Sequence, residues 1–177
     1  MPRLFTGFEL PERVVAAVAL ARGGVPGARW IEPADYHITL RFMGEVDART
    51  AHEVAEALSE VRRAPIPVRF DGLGWFGGDK PRALIAHVKP DPALVELQAE
   101  HERRMRRIGL APETRKFKPH VTLARLRGVR VAAVADFLGS RGRLEVEAFT
   151  AERFVLYSSK DGGGGGPYLV EAAYPLG

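Results

Sequence analysis

Apolar and polar positions along the chain follow two periods, and the switches between them outline its elements. Residues 3–10 open with the run Leu-Phe-Thr-Gly-Phe and read as a strand. Pro11 suits the first turn of a helix, and the Ala/Val-rich stretch after it stays helical to the stop at Gly23-Gly24. A Pro/Gly loop and Arg29-Trp30-Ile31 lead to a second strand over 36–43. Asp47 is placed to cap a helix over 48–63, where Val54, Ala57, Leu58 and Val61 recur at helical spacing. Residues 66–76 and 83–88 predict two further strands joined by a Gly/Asp/Lys/Pro turn.

The second half repeats this rhythm. Asp91-Pro92 reads as an N-cap with proline at the first helical position, opening a helix that runs to about 108 and stops at Gly109. A basic loop leads to a strand over 120–126, then a short helix over 131–138. Strands over 144–150, 153–158 and 168–173 follow, and the glycine run 162–166 joins the last two. That run lacks the Lys-Ser/Thr ending and the following helix of a phosphate-binding loop, so it reads as a hairpin connection. The order predicts an α+β fold of mostly antiparallel sheets with helices outside. Each half carries a helix, a strand bearing His-x-Thr-Leu, another helix and paired strands. This points to a duplicated, bilobal arrangement within one domain, with pseudo-two-fold symmetry and a boundary near 89–91.

Composition narrows the chemistry. The 177 residues suffice for one domain or two small lobes sharing a core. Cysteine is absent, which excludes disulfide scaffolds, thiol nucleophiles and cysteine metal sites; asparagine is absent too. Lys and Arg number 26 against 22 Asp and Glu, a net charge of +4. The excess is local. Between His101 and Arg130 lie ten basic residues against Glu102 and Glu113, the footprint of a surface that faces a polyanion. The N-terminal stretch has no signal-peptide core, and no run approaches the roughly 20 apolar residues of a membrane span. The expectation is a soluble cytoplasmic protein, monomeric and without a membrane partner.

The strongest signal is a repeated phrase, His37-Ile38-Thr39-Leu40 and His120-Val121-Thr122-Leu123. Residues two apart on a strand share a face, so each His lies beside its Thr while the aliphatic pair turns to the core. If the halves are symmetry mates, two imidazoles and two hydroxyls converge on one cleft. Imidazole titrates near neutrality, so one ring can deprotonate a nucleophile while the other protonates a leaving oxygen. The hydroxyls can hydrogen-bond the non-bridging oxygens of a phosphodiester. Such a site needs no cofactor and no metal, and two His without a third ligand fall short of catalytic zinc. The remaining histidines read as structural or surface residues: His52 on an amphipathic helix, His87 in a strand, His101 facing solvent from the basic helix.

The paired phrases resemble the two His-x-Thr-x signatures of the 2H phosphoesterase superfamily. Arg3-Leu4-Phe5-Thr6-Gly7-Phe8, Arg29-Trp30, Arg41-Phe42-Met43-Gly44-Glu45, Phe117-Lys118-Pro119, Ala124-Arg125 and Val155 to Ser159 are similar to its RNA 2′,3′-cyclic phosphodiesterase branch, also called 2′-5′ RNA ligases. The closing segment 168–176 is similar to that branch too. The resemblance implies two lobes around a cleft and metal-independent hydrolysis of RNA or nucleotide 2′,3′-cyclic phosphates to 2′-phosphates, with 2′-5′ joining as the reverse-type reaction. It implies His37 as the proton donor, His120 as the base, and Thr39 and Thr122 on the phosphate, with Arg125 as a further contact. By strict alternation Arg125 is out of phase with His120, and only a bend or bulge would bring it to the phosphate; Arg41 has the right phase. Lys116, Lys118, Arg125 and Arg127 flank His120 and are placed for RNA phosphates; Phe5, Phe42 or Phe117 could stack a base. Rival readings are a related esterase acting on ADP-ribose cyclic phosphate or 2′-5′ oligonucleotides, and a non-catalytic RNA-binding module.

Overall fold

A computed structural model of the chain describes residues 1–141, 143–160 and 166–177. Within them the elements run β1 (Arg3–Glu9), α1 (Glu12–Ala19), β2 (Ala28–Trp30), a 3-10 turn (Pro33–Asp35), β3 (His37–Glu45), α2 (Ala48–Ser59), β4 (Ile66–Val68), β5 (Phe70–Phe76), β6 (Ala83–Val88), α3 (Pro92–Arg107), β7 (His120–Leu126), α4 (Val131–Arg141), β8 (Phe149–Ala151), β9 (Arg153–Ser159) and β10 (Tyr168–Pro175). The architecture is α+β, and the recorded strand pairs are all antiparallel. One sheet takes the order β10-β9-β1-β3-β7-β6-β5, with β2 also paired to β7; β4 and β8 form a separate ribbon. The glycine run expected to join β9 to β10 lies, apart from Gly166, outside the described residues.

Local chemistry explains most boundaries. The Asp47 carboxylate accepts the Thr50 N–H at 2.8 Å and caps α2, satisfying one of the helix's orphan donors. Pro11 occupies the N-cap of α1 rather than its first turn, and α1 ends at Ala19, where the bonds of Leu20, Ala21 and Arg22 tighten to a three-residue reach. Asp91 stands at the N-cap of α3 but does not cap it with its side chain; the Arg69 guanidinium takes both carboxylate oxygens, at 2.7 and 3.2 Å. The strand expected over 66–76 is two strands. Pro67 lacks a ladder donor, and β4 leaves the main sheet for β8, while β5 continues along β6. The strand expected over 144–150 is confined to Phe149–Ala151, and α4 extends three residues beyond 138, to Arg141.

The main core includes Phe8, Ile38, Val54, Leu58, Leu84, Leu97, Met105, Leu123 and Phe154. α3 contributes Leu94, Leu97, His101 and Met105, spaced three and four apart as one helical face. His101 therefore does not face solvent as its basic neighbours suggested; it is fully buried. Its Nδ1 lies 2.9 Å from Thr6 Oγ1 and its ring packs 4.6 Å from that of Phe154. Burial drives its pKa down from 6.5 to about 3. His52 is exposed beside Glu56, and His87 is half-buried in β6.

The unfolded chain binds a proton at His101 below about pH 6.5, whereas the folded chain does so only near pH 3. This site's contribution to stability is thus intact above pH 6.5 and drains away as pH falls between those two values. His101→Gln is expected to lower stability at neutral pH by about 1–3 kcal/mol through lost packing. It should also flatten the decline of urea midpoint with acid by about one proton; an unchanged slope contradicts this placement.

Candidate active site

β3 and β7 meet at a single register pair, Ile38 opposite Val121. Both side chains are fully buried. One step outward, antiparallel geometry sets His37 level with Thr122 and Thr39 level with His120, all on the opposite face. The strands then diverge, β3 along β1 and β7 along β6. Four polar side chains from the two phrases thereby line one cleft of about 570 Å³. Phe5, Phe42, Asp35, Phe76, Tyr168 and the arginines Arg3, Arg82, Arg115 and Arg125 also line it.

The two strands carry the same irregularity. Against β1 the register steps from Thr6–Arg41 to Gly7–Thr39, leaving Leu40 as the extra residue of a bulge. Against β6 it steps from Leu84–Ala124 to Ile85–Thr122, leaving Leu123 in that role. Both leucines turn to the core, and the faces after them swap. Arg125 consequently joins His120 and Thr122 at the cleft, while Arg41, in phase by simple alternation, points away. Gly7 is required at the first bulge: a Cβ there would lie 2.5 Å from the Ile38 carbonyl oxygen.

Both imidazoles are held in the same way. His37 Nδ1 lies 2.9 Å from the Asp35 carbonyl, and His120 Nδ1 lies 2.7 Å from the Lys118 carbonyl. A carbonyl only accepts, so each Nδ1 carries the hydrogen and each neutral ring presents Nε2 as its basic atom. His37 Nε2 accepts from the Thr39 hydroxyl at 2.9 Å. Aromatic rings fix both planes. Phe5 and Tyr168 lie 5.0 Å from His37, and Phe76 meets His120 edge-on at 4.7 Å. Burial lowers the His37 pKa to about 4, helped by the charges of His120 and Arg125 and opposed by the Asp35 carbonyl. Burial also lowers His120, with His87 and Arg125 adding to it and the Lys118 carbonyl opposing.

Other expected residues are placed more selectively. Of the basic segment, Arg115 and Arg125 line the cleft; Arg104 is held by Glu100 and Glu60, and Lys116, Lys118 and Arg127 do not reach it. Phe5 is buried beneath His37 and Phe117 packs on the core, whereas Phe42 stays 48% exposed at the cleft. Asp35, Phe76, Arg82 and Arg115 carried no periodic signal, because they sit at strand ends and in loops. The cleft's composition, four arginines around two imidazoles and two hydroxyls, suits an anionic, phosphate-bearing ligand.

Fold and site together define a two-histidine α+β protein with its cleft on an antiparallel sheet. Residues 11–163 match the profile of the 2′-5′ RNA ligase superfamily, and the chain belongs to that family. A relative from Aeropyrum pernix, named RNA 2′,3′-cyclic phosphodiesterase, is 37% identical over 131 residues, covering 72% of this chain and 74% of that protein. The fold matches the crystal structure of TT0787 of Thermus thermophilus, with a TM-score of 0.81 and 24% identity over 98% of this chain and 97% of that one. It also matches apo LigT of E. coli, with a TM-score of 0.79 and 22% identity over 99% and 98% of the two chains.

The hydrogen-bonding pattern makes a direct prediction about proton position. Long-range ¹⁵N–¹H correlation spectra at neutral pH should show His37 and His120 both as the Nδ1–H tautomer. An Nε2–H pattern at either ring contradicts the orientation described.

Proposed function

We propose that this chain hydrolyses 2′,3′-cyclic phosphates, at RNA ends or on nucleotides, to 2′-phosphates by metal-independent two-histidine catalysis. The observation that carries the reading is the pair of imidazoles, each with Nδ1 tied to a carbonyl and Nε2 turned to one cleft. The name of the Aeropyrum pernix relative supports the same substrate. Among the described residues no three His, Asp or Glu side chains gather as a metal site. The two halves of the chain act as pseudo-symmetric lobes of one domain, each supplying one His and one Thr.

His120 Nε2 takes a proton from water as the water oxygen attacks phosphorus. The bond from phosphorus to the 3′-oxygen breaks, and the proton on His37 Nε2 passes to that oxygen. Thr39 and Thr122 turn their hydroxyls to the non-bridging oxygens, and Arg125 offsets the charge that grows there. A 5′-hydroxyl attacking the same phosphorus in place of water, with the 3′-oxygen again leaving, would give a 2′-5′ linkage. Burial keeps His37 neutral at pH 7, since its pKa is about 4. The bound phosphate anion reverses that bias, because a negative charge beside the ring favours imidazolium.

Turnover of a 2′,3′-cyclic mononucleotide and of cyclic-phosphate-ended RNA should persist in excess EDTA. It should fall by about 10²–10⁴ in His37→Ala and in His120→Ala. Loss of activity in EDTA, or its survival in either variant, overturns the mechanism. The pH dependence of kcat/KM reports the free enzyme, so both limbs should lie on the acid side of neutrality; that of kcat should move to higher pH. Coincident profiles would show that phosphate binding does not raise the two pKa values.

A further inference from the structure

Arg41, turned away from the cleft by the β3 bulge, anchors the loop that leads from α3 into His120. Its side chain is 6% exposed, and its three nitrogens reach Glu102 Oε2 at 2.5 Å, the Phe42 carbonyl, and the Ala111 carbonyl at 2.6 Å. The other oxygen of Glu102 accepts the Glu113 N–H at 3.0 Å. Glu113 in turn accepts the Arg115 N–H at 2.9 Å and grips its guanidinium through Nε and Nη2, each at 3.2 Å. Nη1 takes no part in the bonds to Glu113, and the side chain, 75% exposed, lines the cleft.

From this chain of contacts we infer that Arg115 is a phosphate-binding arm for the phosphodiester one nucleotide 5′ of the reacting end, and that Arg41 is its positioning residue. The inference rests on the proposed function for its reacting end. A 2′,3′-cyclic phosphate closes the 3′ terminus, so an RNA chain can leave the site only in the 5′ direction, and each further nucleotide brings one negative charge. The reacting group itself carries a single charge, which Thr39, Thr122 and Arg125 meet. Arg115 lies apart from that set, on the loop that enters β7 at His120, while Arg125 acts from five residues further along the strand. Burying Arg41 with Glu102 is costly unless its donors are used, and three are used to fix the cleft wall. The arm is therefore held in place before substrate arrives, which spares ordering entropy on binding.

The test compares kcat/KM for a cyclic-phosphate-ended trinucleotide with that for the 2′,3′-cyclic mononucleotide. Arg115→Ala should lower the trinucleotide-to-mononucleotide ratio about tenfold, the scale of one charged hydrogen bond. It should also reduce the salt slope for the trinucleotide by about 1. Arg41→Met combined with Glu102→Gln, which removes both charges of the pair, should lower the same ratio, and adding Arg115→Ala should lower it no further. If the Arg41 variant does not fold, Arg115→Ala and Arg115→Glu decide alone. An unchanged ratio, or losses that multiply, overturns the inference. So does a loss seen with ADP-ribose cyclic phosphate and not with the trinucleotide. Should wild type turn over neither substrate, the functional reading fails; anisotropy with a 3′-phosphorylated trinucleotide then reads the arm separately, with the same variants and expectations.

Discussion

Ile38 and Val121 are the only residues through which β3 and β7 pair, and everything at the cleft is referred to that contact. Two aliphatic side chains, both without solvent exposure, hold the strands together on the core side. The alternation of a strand then delivers His37, Thr39, His120 and Thr122 to the other side. Because the strands part immediately afterwards, a concave surface opens where the four polar groups stand. The two bulges complete it. Leu40 and Leu123 are each the extra residue of a bulge, and each therefore decides which of the following side chains reach the cleft.

The electrostatics of the cleft follow from the same packing. Phe5, Tyr168 and Phe76 press the imidazoles into place and strip water from them, which favours the neutral form of both rings. The carbonyls of Asp35 and Lys118 pull against that effect and fix which nitrogen faces outward. An anionic ligand complements this arrangement. Its charge would offset the desolvation of the rings and the crowding of four arginines in a single step. Two residues outside the cleft lining support its walls: Gly7, whose missing Cβ lets Ile38 approach, and Arg41 beneath the α3–β7 loop.

How much of this was legible in the sequence differs by residue. The repeated His-x-Thr-Leu phrase was fully readable, since it depends only on period-two geometry. The choice between Arg41 and Arg125 was not, because a bulge leaves no reliable trace in composition. Leu123-Ala124, two adjacent apolar residues, hints at one; Leu40-Arg41 conceals the other behind a buried ion pair. His101 was misread through its basic neighbours, although its spacing from Leu94, Leu97 and Met105 already put it on the apolar stripe. Arg82 and Asp35 had no signal at all, and Arg115 only that of its basic segment, for their positions are set by loop tethers and strand ends that only the fold supplies. The strand over 66–76 failed for a related reason: a residue's membership of one sheet or another is a tertiary fact.

If both imidazoles address one phosphate, a single bound anion must act on both rings, and NMR titration of His37 and His120 with and without a nucleoside 2′-monophosphate reads this out. His37, at about 4 in the free protein, and His120, also below its ordinary value, should both move upward when the nucleotide binds. If one ring shifts while the other stays at its free value, the two do not flank the same phosphate and the account is wrong.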